Sequence, residues 1–150
     1  MKICMIGSGY VGLVSGACFS ELGNNVICVD NNSNKISKLK NGEIPIYEPG
    51  LDELIKRNLK QKRLQFSTNI SESIKKSDLI FICVGTPTNL KSNEANLKYV
   101  YQVLKDIKKN LNKYKIIVTK STVPVTTGDK IQKLLTTKNN KKLFDVFSNP

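Results

Sequence analysis

Lys2-Ile3-Cys4-Met5-Ile6-Gly7-Ser8-Gly9-Tyr10-Val11-Gly12-Leu13 is the stretch on which the fold turns. Its first five residues form a short apolar run that stops at a glycine, the profile of a parallel strand buried on both faces. From Tyr10 onward, small and apolar residues recur at helical spacing (Val11, Val14, Cys18, Leu22), and Gly23 closes the pattern as a helix C-cap. Between them stands Gly-x-Gly-x-x-Gly. Alone that pattern says little, because glycine is common in turns; between a strand and a helix it predicts a dinucleotide-binding turn. There Gly7 permits the tight turn, Gly9 clears the backbone for a pyrophosphate, and Gly12 lets the helix pack on the sheet. The helix start then offers free N–H groups and the positive end of its dipole to the phosphates.

The same alternation continues along the chain. Asn25–Val29, Leu64–Phe66, Leu79–Val84, Lys115–Thr119 and Phe144–Phe147 read as further strands. Helices are predicted from a Ser33 cap to about Gly42, from Pro49 to about Leu59, and over Ser71–Lys76, Asn96–Leu111 and Thr126–Leu135. Six apolar strands alternating with helices predict an α/β, Rossmann-type, doubly wound parallel sheet in a single domain. Ligands of such sheets bind beyond the carboxyl ends of the strands. Gly7–Gly12, Asp30, Gly85-Thr86-Pro87 and Ser121–Pro124 all fall there.

Asp30 closes the second strand at the distance from the glycine motif where a carboxylate receives a ribose 2′-OH. A carboxylate would repel a 2′-phosphate, so the expected cofactor is NAD and not NADP. Lys35, one helical turn further on, is placed to reach the adenosine end.

At 150 residues the chain has the size of one domain. Its net charge of +12 comes almost wholly from lysines spread along the length, in runs such as 60–63 and 138–142 that separate apolar blocks. Solvated loops and helix faces account for that pattern. No stretch interleaves aromatics with Arg as a nucleic-acid platform would, so no nucleic-acid partner is expected. Cys4, Cys18, Cys28 and Cys83 form no CxxC pair and there is no His, which argues against a zinc set. All four are expected to be reduced and buried, as in a cytoplasmic protein. Neither a signal core nor a membrane span is expected.

Four ordered blocks give the whole chain a resemblance to the UDP-glucose/GDP-mannose dehydrogenase family: 5–13, then Gly42–Leu51 (GEIPIYEPGL), then Val84-Gly85-Thr86-Pro87, then Lys120-Ser121-Thr122-Val123-Pro124-Val125. The resemblance implies that Val11, Asp30, Lys35, Thr86 and Thr122 contact NAD, and that Thr122 positions a water near the reacting centre. Gly7, Gly9, Tyr10 and Gly12 complete the expected cofactor set. Glu48 is read as a loop or helix-start carboxylate, not as an acid/base group. Two departures stand out: Thr126 where many members have Gly, and Asn96 where Asp is common.

Members of that family oxidise the C6 alcohol of a nucleotide sugar to a carboxylate with two NAD, holding the aldehyde as a thiohemiacetal on a Cys. UDP-glucose is the first substrate to expect and GDP-mannose the second. In the family the reactive Cys, its Lys and Asn partners and a functional Glu all lie beyond the segment matching 148–150. Residues 1–150 are therefore expected to be the NAD-binding domain of a longer enzyme, inactive alone and homodimeric at full length. Two other readings remain: a hydroxyacid or hydroxyacyl-CoA dehydrogenase with a similar first half, and a non-enzymatic basic module that binds NAD or nucleic acid.

Overall fold

A computed structural model describes residues 1–88, 95–124, 127–137, 140 and 143–149. Its elements run β1 (Lys2–Ile6), α1 (Tyr10–Glu21), β2 (Asn25–Val29), α2 (Ser33–Lys40), α3 (Leu51–Lys60) and β3 (Leu64–Ser67). Then come α4 (Ile70–Lys76), β4 (Leu79–Ile82), α5 (Lys98–Asn110), β5 (Lys115–Thr119), α6 (Thr127–Leu135) and β6 (Phe144–Ser148). All six strands pair in parallel in the order β3-β2-β1-β4-β5-β6. The chain thus winds outward from β1 in one direction, returns, and winds outward in the other. The reversal falls between β1 and β4, which is where ligands of doubly wound sheets enter.

Alternation of side chains along a strand, with both faces covered, explains why the inner strands read as near-continuous apolar runs, while the edge strands β3 and β6 carry the exposed Gln65 and Asp145. Ile3 and Met5 enter one core with Leu13, Ala17, Ile36, Leu39 and Ile55 from α1, α2 and α3. Cys4 and Ile6 enter the other with Ile74, Val100, Val103, Ile107 and Ile131 from α4, α5 and α6. Phe19 of α1 stacks on Phe81 of β4 with ring centroids 5.1 Å apart. Leu13 is wholly buried, so truncating it to Ala costs about 2–5 kcal/mol.

Differences from the sequence reading concern ends and caps. Asn32, not Ser33, caps α2, its side chain accepting the N–H of Lys35. Asn69 caps α4 in the same way and starts it one residue early, at Ile70. Pro49 stays outside α3, whose cap is Gly50 in the left-handed region at φ 78°. α5 starts at Lys98 and not at Asn96, with Leu97 as its cap; Asn96 lies before the helix and accepts the N–H of Lys98 at 3.0 Å. Three cysteines are buried as expected, but Cys18 is exposed, on an open groove between α1 and the β5–β6 side of the sheet. Val125, Thr126, Pro150 and most of the 138–142 lysine run lie outside the described residues.

Candidate cofactor site

Gly7 sits where the ends of β1, β2 and β4 meet. Its φ is +103°, and a Cβ there would stand 2.7 Å from the carbonyl oxygen of Cys83. Its N–H donates to Val29 at 2.8 Å. Gly12 answers a different constraint: a Cβ would lie 1.9 Å from the carbonyl oxygen of Gly7 and 3.2 Å from the Cβ of Cys83. That contact holds the first turn of α1 against the loop. Gly9 answers neither. A Cβ there meets nothing within 4 Å, so no protein atom requires glycine, and the open space belongs to whatever approaches the backbone.

The start of α1 is correspondingly bare. Gly9 is its cap, with no side-chain hydrogen bond and no acidic residue in the first turn. The first helical bond runs from Leu13 N–H to Gly9 at 2.9 Å, leaving the amides of Tyr10, Val11 and Gly12 ahead of it without a side-chain cap. Such amides form an anion site. Tyr10 and Val11 are exposed on this turn, and the Tyr10 hydroxyl donates to Glu48 Oε2 at 2.8 Å. Glu48 thus ties the 43–50 loop to the glycine turn, a contact the sequence did not reveal.

Asp30 is held on all sides. Its Oδ2 accepts the Ser8 N–H at 3.1 Å, the Ser8 hydroxyl at 2.8 Å and the Lys35 ammonium at 2.8 Å. Its Oδ1 accepts the Asn32 N–H at 3.1 Å. Burial by itself pushes the carboxyl up, but Lys35, Asn32 and Ser8 together outweigh it and hold Asp30 below its ordinary value. The anion is therefore fixed in place with Oδ1 the less occupied oxygen. Lys35 is paired to Asp30 rather than an exposed helix lysine. Ser8, the middle residue of Gly-x-Gly, is buried, because its hydroxyl turns inward onto the acid of the next strand.

A cavity of about 460 Å³ opens at this point. Gly7 and Asp30 line it together with Val84 and Gly85, so the clusters ending β1, β2 and β4 do converge. Tyr10, Val11, Lys35, Thr86 and Thr122 stand outside its lining. The last two occupy the β5 side of the rim, where Thr86 Oγ1 donates to the Thr122 carbonyl at 3.1 Å. Ser121 Oγ laces the same two loops through Val84 at 2.6 Å and Ile82 at 3.2 Å. Thr122 is exposed. The cavity also takes in Asn31, Thr68, Ile70, Tyr99, Gln102 and Asp106, none singled out from the sequence. The last three share an i, i+3, i+7 spacing on α5, a signal that was available but was overshadowed by the apolar stripe beside it.

Cys83 lines this cavity, but its thiol is not activated. Burial pushes Cys4 and Cys83 up to about 12 and raises Cys28 as well, and Cys18 lies in another groove beside Phe19 and Phe147. Among the described residues, no group of three His, Cys, Asp or Glu could hold a metal ion, and no helix is long and apolar enough to cross a membrane.

Against known proteins, residues 1–150 match the UDP-glucose/GDP-mannose dehydrogenase family, NAD binding domain. A UDP-glucose 6-dehydrogenase of Rhizobium meliloti is 48% identical over 150 residues, which are 100% of this chain and 34% of that protein. UDP-glucose 6-dehydrogenase TuaD of Bacillus subtilis is 52% identical, covering 99% of this chain and 32% of that protein. Among solved structures, a ternary complex of GDP-mannose dehydrogenase from Pseudomonas aeruginosa superposes with a TM-score of 0.90 at 33% identity. It covers 100% of this chain and 36% of that one. The chain spans about a third of the length of the curated relatives it matches.

Proposed function

Because this chain belongs to the UDP-glucose/GDP-mannose dehydrogenase family, we propose that residues 1–150 are the cofactor-holding domain of a UDP-glucose 6-dehydrogenase. The groups that act on the sugar then lie in a further domain. The cofactor of this domain family is NAD. The carrying observation is the Asp30 carboxylate, fixed by Ser8, Lys35 and Asn32 at the mouth of the cavity beside Gly7.

The residues fit the cofactor. A dinucleotide crosses the switch point with its pyrophosphate on the glycine turn. The open space at Gly9 and the amides of Tyr10, Val11 and Gly12 would receive the phosphates, and Asp30 Oδ1 an adenosine ribose hydroxyl. Thr86 and Thr122 stand on the nicotinamide side, with Thr122 orienting a water through its hydroxyl. NAD, when bound, supplies the hydride acceptor. In the full enzyme two such transfers, with water giving the second oxygen, convert the C6 alcohol of UDP-glucose to UDP-glucuronate. The names of the relatives support UDP-glucose, and the GDP-mannose dehydrogenase likeness supports GDP-mannose as the alternative. The covalent chemistry needs a thiolate, and the buried cysteines oppose one. We place the full-length protein in the cytoplasm as a homodimer without nucleic-acid or membrane partner, in keeping with the dispersed lysines.

Titrating the chain with NAD and with NADP tests the cofactor reading: NAD should bind at least about tenfold tighter, given the half-buried Asp30 carboxylate at the 2′ position. Equal or tighter NADP binding refutes it. Adding UDP-glucose and NAD should yield no NADH, and sustained turnover would refute the assignment of the chemistry to another domain.

A further inference from the structure

The cavity beside Asp30 runs on past the ribose position to α5, and what it meets there is polar. Around its buried stripe of Val100, Val103 and Ile107, α5 turns Tyr99, Gln102 and Asp106 toward the cavity. The Gln102 amide donates to Asp106 Oδ2 at 3.5 Å, a long contact that leaves the second amide hydrogen and the rest of the carboxylate available. Taken only as a helix-surface pair, the two would add a few tenths of a kcal/mol to α5. Their place in the cavity gives them a second use.

With the pyrophosphate on the glycine turn and the ribose on Asp30, the base is the part of the cofactor that extends toward α5. Adenine presents an amino donor at C6 flanked by ring-nitrogen acceptors at N1 and N7. A carboxylate and an amide N–H side by side are the complement of that edge. We propose that Asp106 and Gln102 read the base: Asp106 accepts from the 6-amino group, Gln102 donates to the neighbouring ring nitrogen, and Tyr99 flanks the ring. This rests on the NAD reading of the site and adds base specificity to it. A 6-oxo purine would set a carbonyl oxygen against the carboxylate, and a site built to pair with one polar group rejects its replacement. Because Gln102 is exposed and Asp106 half-buried, the discrimination should lie near the low end for such pairs, about tenfold.

The test is a calorimetric titration of the 150-residue chain with NAD and with nicotinamide hypoxanthine dinucleotide, in which an oxygen replaces the amino group at C6 and N1 carries a proton. The unaltered chain should favour NAD by about tenfold. Asp106→Asn keeps the volume and can donate to the oxygen, so it should bring the two affinities together; circular dichroism confirms that the variant is folded. Equal affinities in the unaltered chain, or a preference that survives Asp106→Asn, overturn the base reading and leave NAD binding standing. Failure of both dinucleotides to bind removes the proposed function and the base reading with it.

Discussion

Two helix termini, the end of α4 at the amino end of the sheet and the start of α1 at its carboxyl end, are treated in opposite ways. At the amino end, Lys115 opens β5 with its side chain buried. Its ammonium reaches back to the last carbonyls of α4, donating to Ser77 at 2.6 Å and to Lys75 at 3.4 Å. Asp78 beside it accepts the Lys2 N–H at 3.3 Å and pairs with Lys113. At the carboxyl end, the first amides of α1 have neither a side-chain cap nor an acidic neighbour in the helix. Both ends contain a carboxylate held below its ordinary value: Asp78 by Lys113 against slight burial, Asp30 by its donors against stronger burial. A shifted carboxyl therefore does not by itself mark a site. What separates the two termini is completeness: Lys115 satisfies the end of α4 from within, and the start of α1 has no side chain to do so.

The sharpest consequence concerns two glycines three residues apart. Gly12→Ala forces a Cβ to 1.9 Å from the Gly7 oxygen. It should cost at least about 3 kcal/mol, lower the melting temperature by roughly 10 °C and abolish NAD binding. Gly9→Ala should melt like the parent yet bind NAD at least about tenfold more weakly, since its Cβ intrudes only on the ligand's space. Thermal melts followed by circular dichroism, paired with NAD titrations, decide both. An unchanged melt for Gly12→Ala would remove the distinction between packing and ligand glycines.

Lys115→Ala should destabilise by about 2–4 kcal/mol through lost packing and unpaired carbonyls, with NAD affinity unchanged. A drop in affinity would mean that the two ends are not independent. Burial, then the neighbouring Lys113, hold the Lys115 amine below its ordinary value of 10.5. The unfolded chain thus binds the proton more tightly, and stability should rise with pH between the lowered value and 10.5. Lys115→Met should flatten that rise in pH-dependent melts.

Asp30→Asn should weaken NAD by about tenfold and narrow its preference over NADP. The carboxyl is lowered in the fold, so its contribution to stability is complete above 3.8 and is lost as pH falls through the lower folded value. Acid titration of the variant should lack that component. The smallest effect belongs to Tyr10→Phe, which removes an exposed hydrogen bond to Glu48. It should cost under about 1 kcal/mol and change NAD affinity by no more than a few-fold.

Strands and their convergence were legible because a parallel strand buried on both faces must be apolar throughout, as Cys4-Met5-Ile6 is. Ends were less so, since Asn32 and Ser33 are both good caps and only the backbone decides which one closes the helix. Lys115 reads in sequence as the solvated first residue of a strand; nothing local indicates that the end of α4 covers it. The cavity wall was illegible for a similar reason. Asn31, Thr68 and Asp106 come from three separate segments, and polar residues on loops and helix faces are ordinary one at a time. Asp30 and the glycine motif escaped that obscurity because their spacing along the chain is itself the signal.

Placing the first strand at the centre of the sheet has a consequence for synthesis. β1 joins β2 and β3 early, but its other edge must wait for β4, where Ile3 meets Leu79 and Ile6 meets Ile82. A chain emerging from the ribosome at about 5–20 residues per second leaves that apolar edge open for roughly 1–3 s between the end of β3 and the end of β4. During this interval half a sheet stands open to pairing with neighbours. The glycine turn is also unfinished then, because Gly7 is shaped against Cys83. A nascent chain stalled before Leu79 should consequently bind no NAD, and cofactor capture by longer stalled chains would date the moment at which the sheet closes.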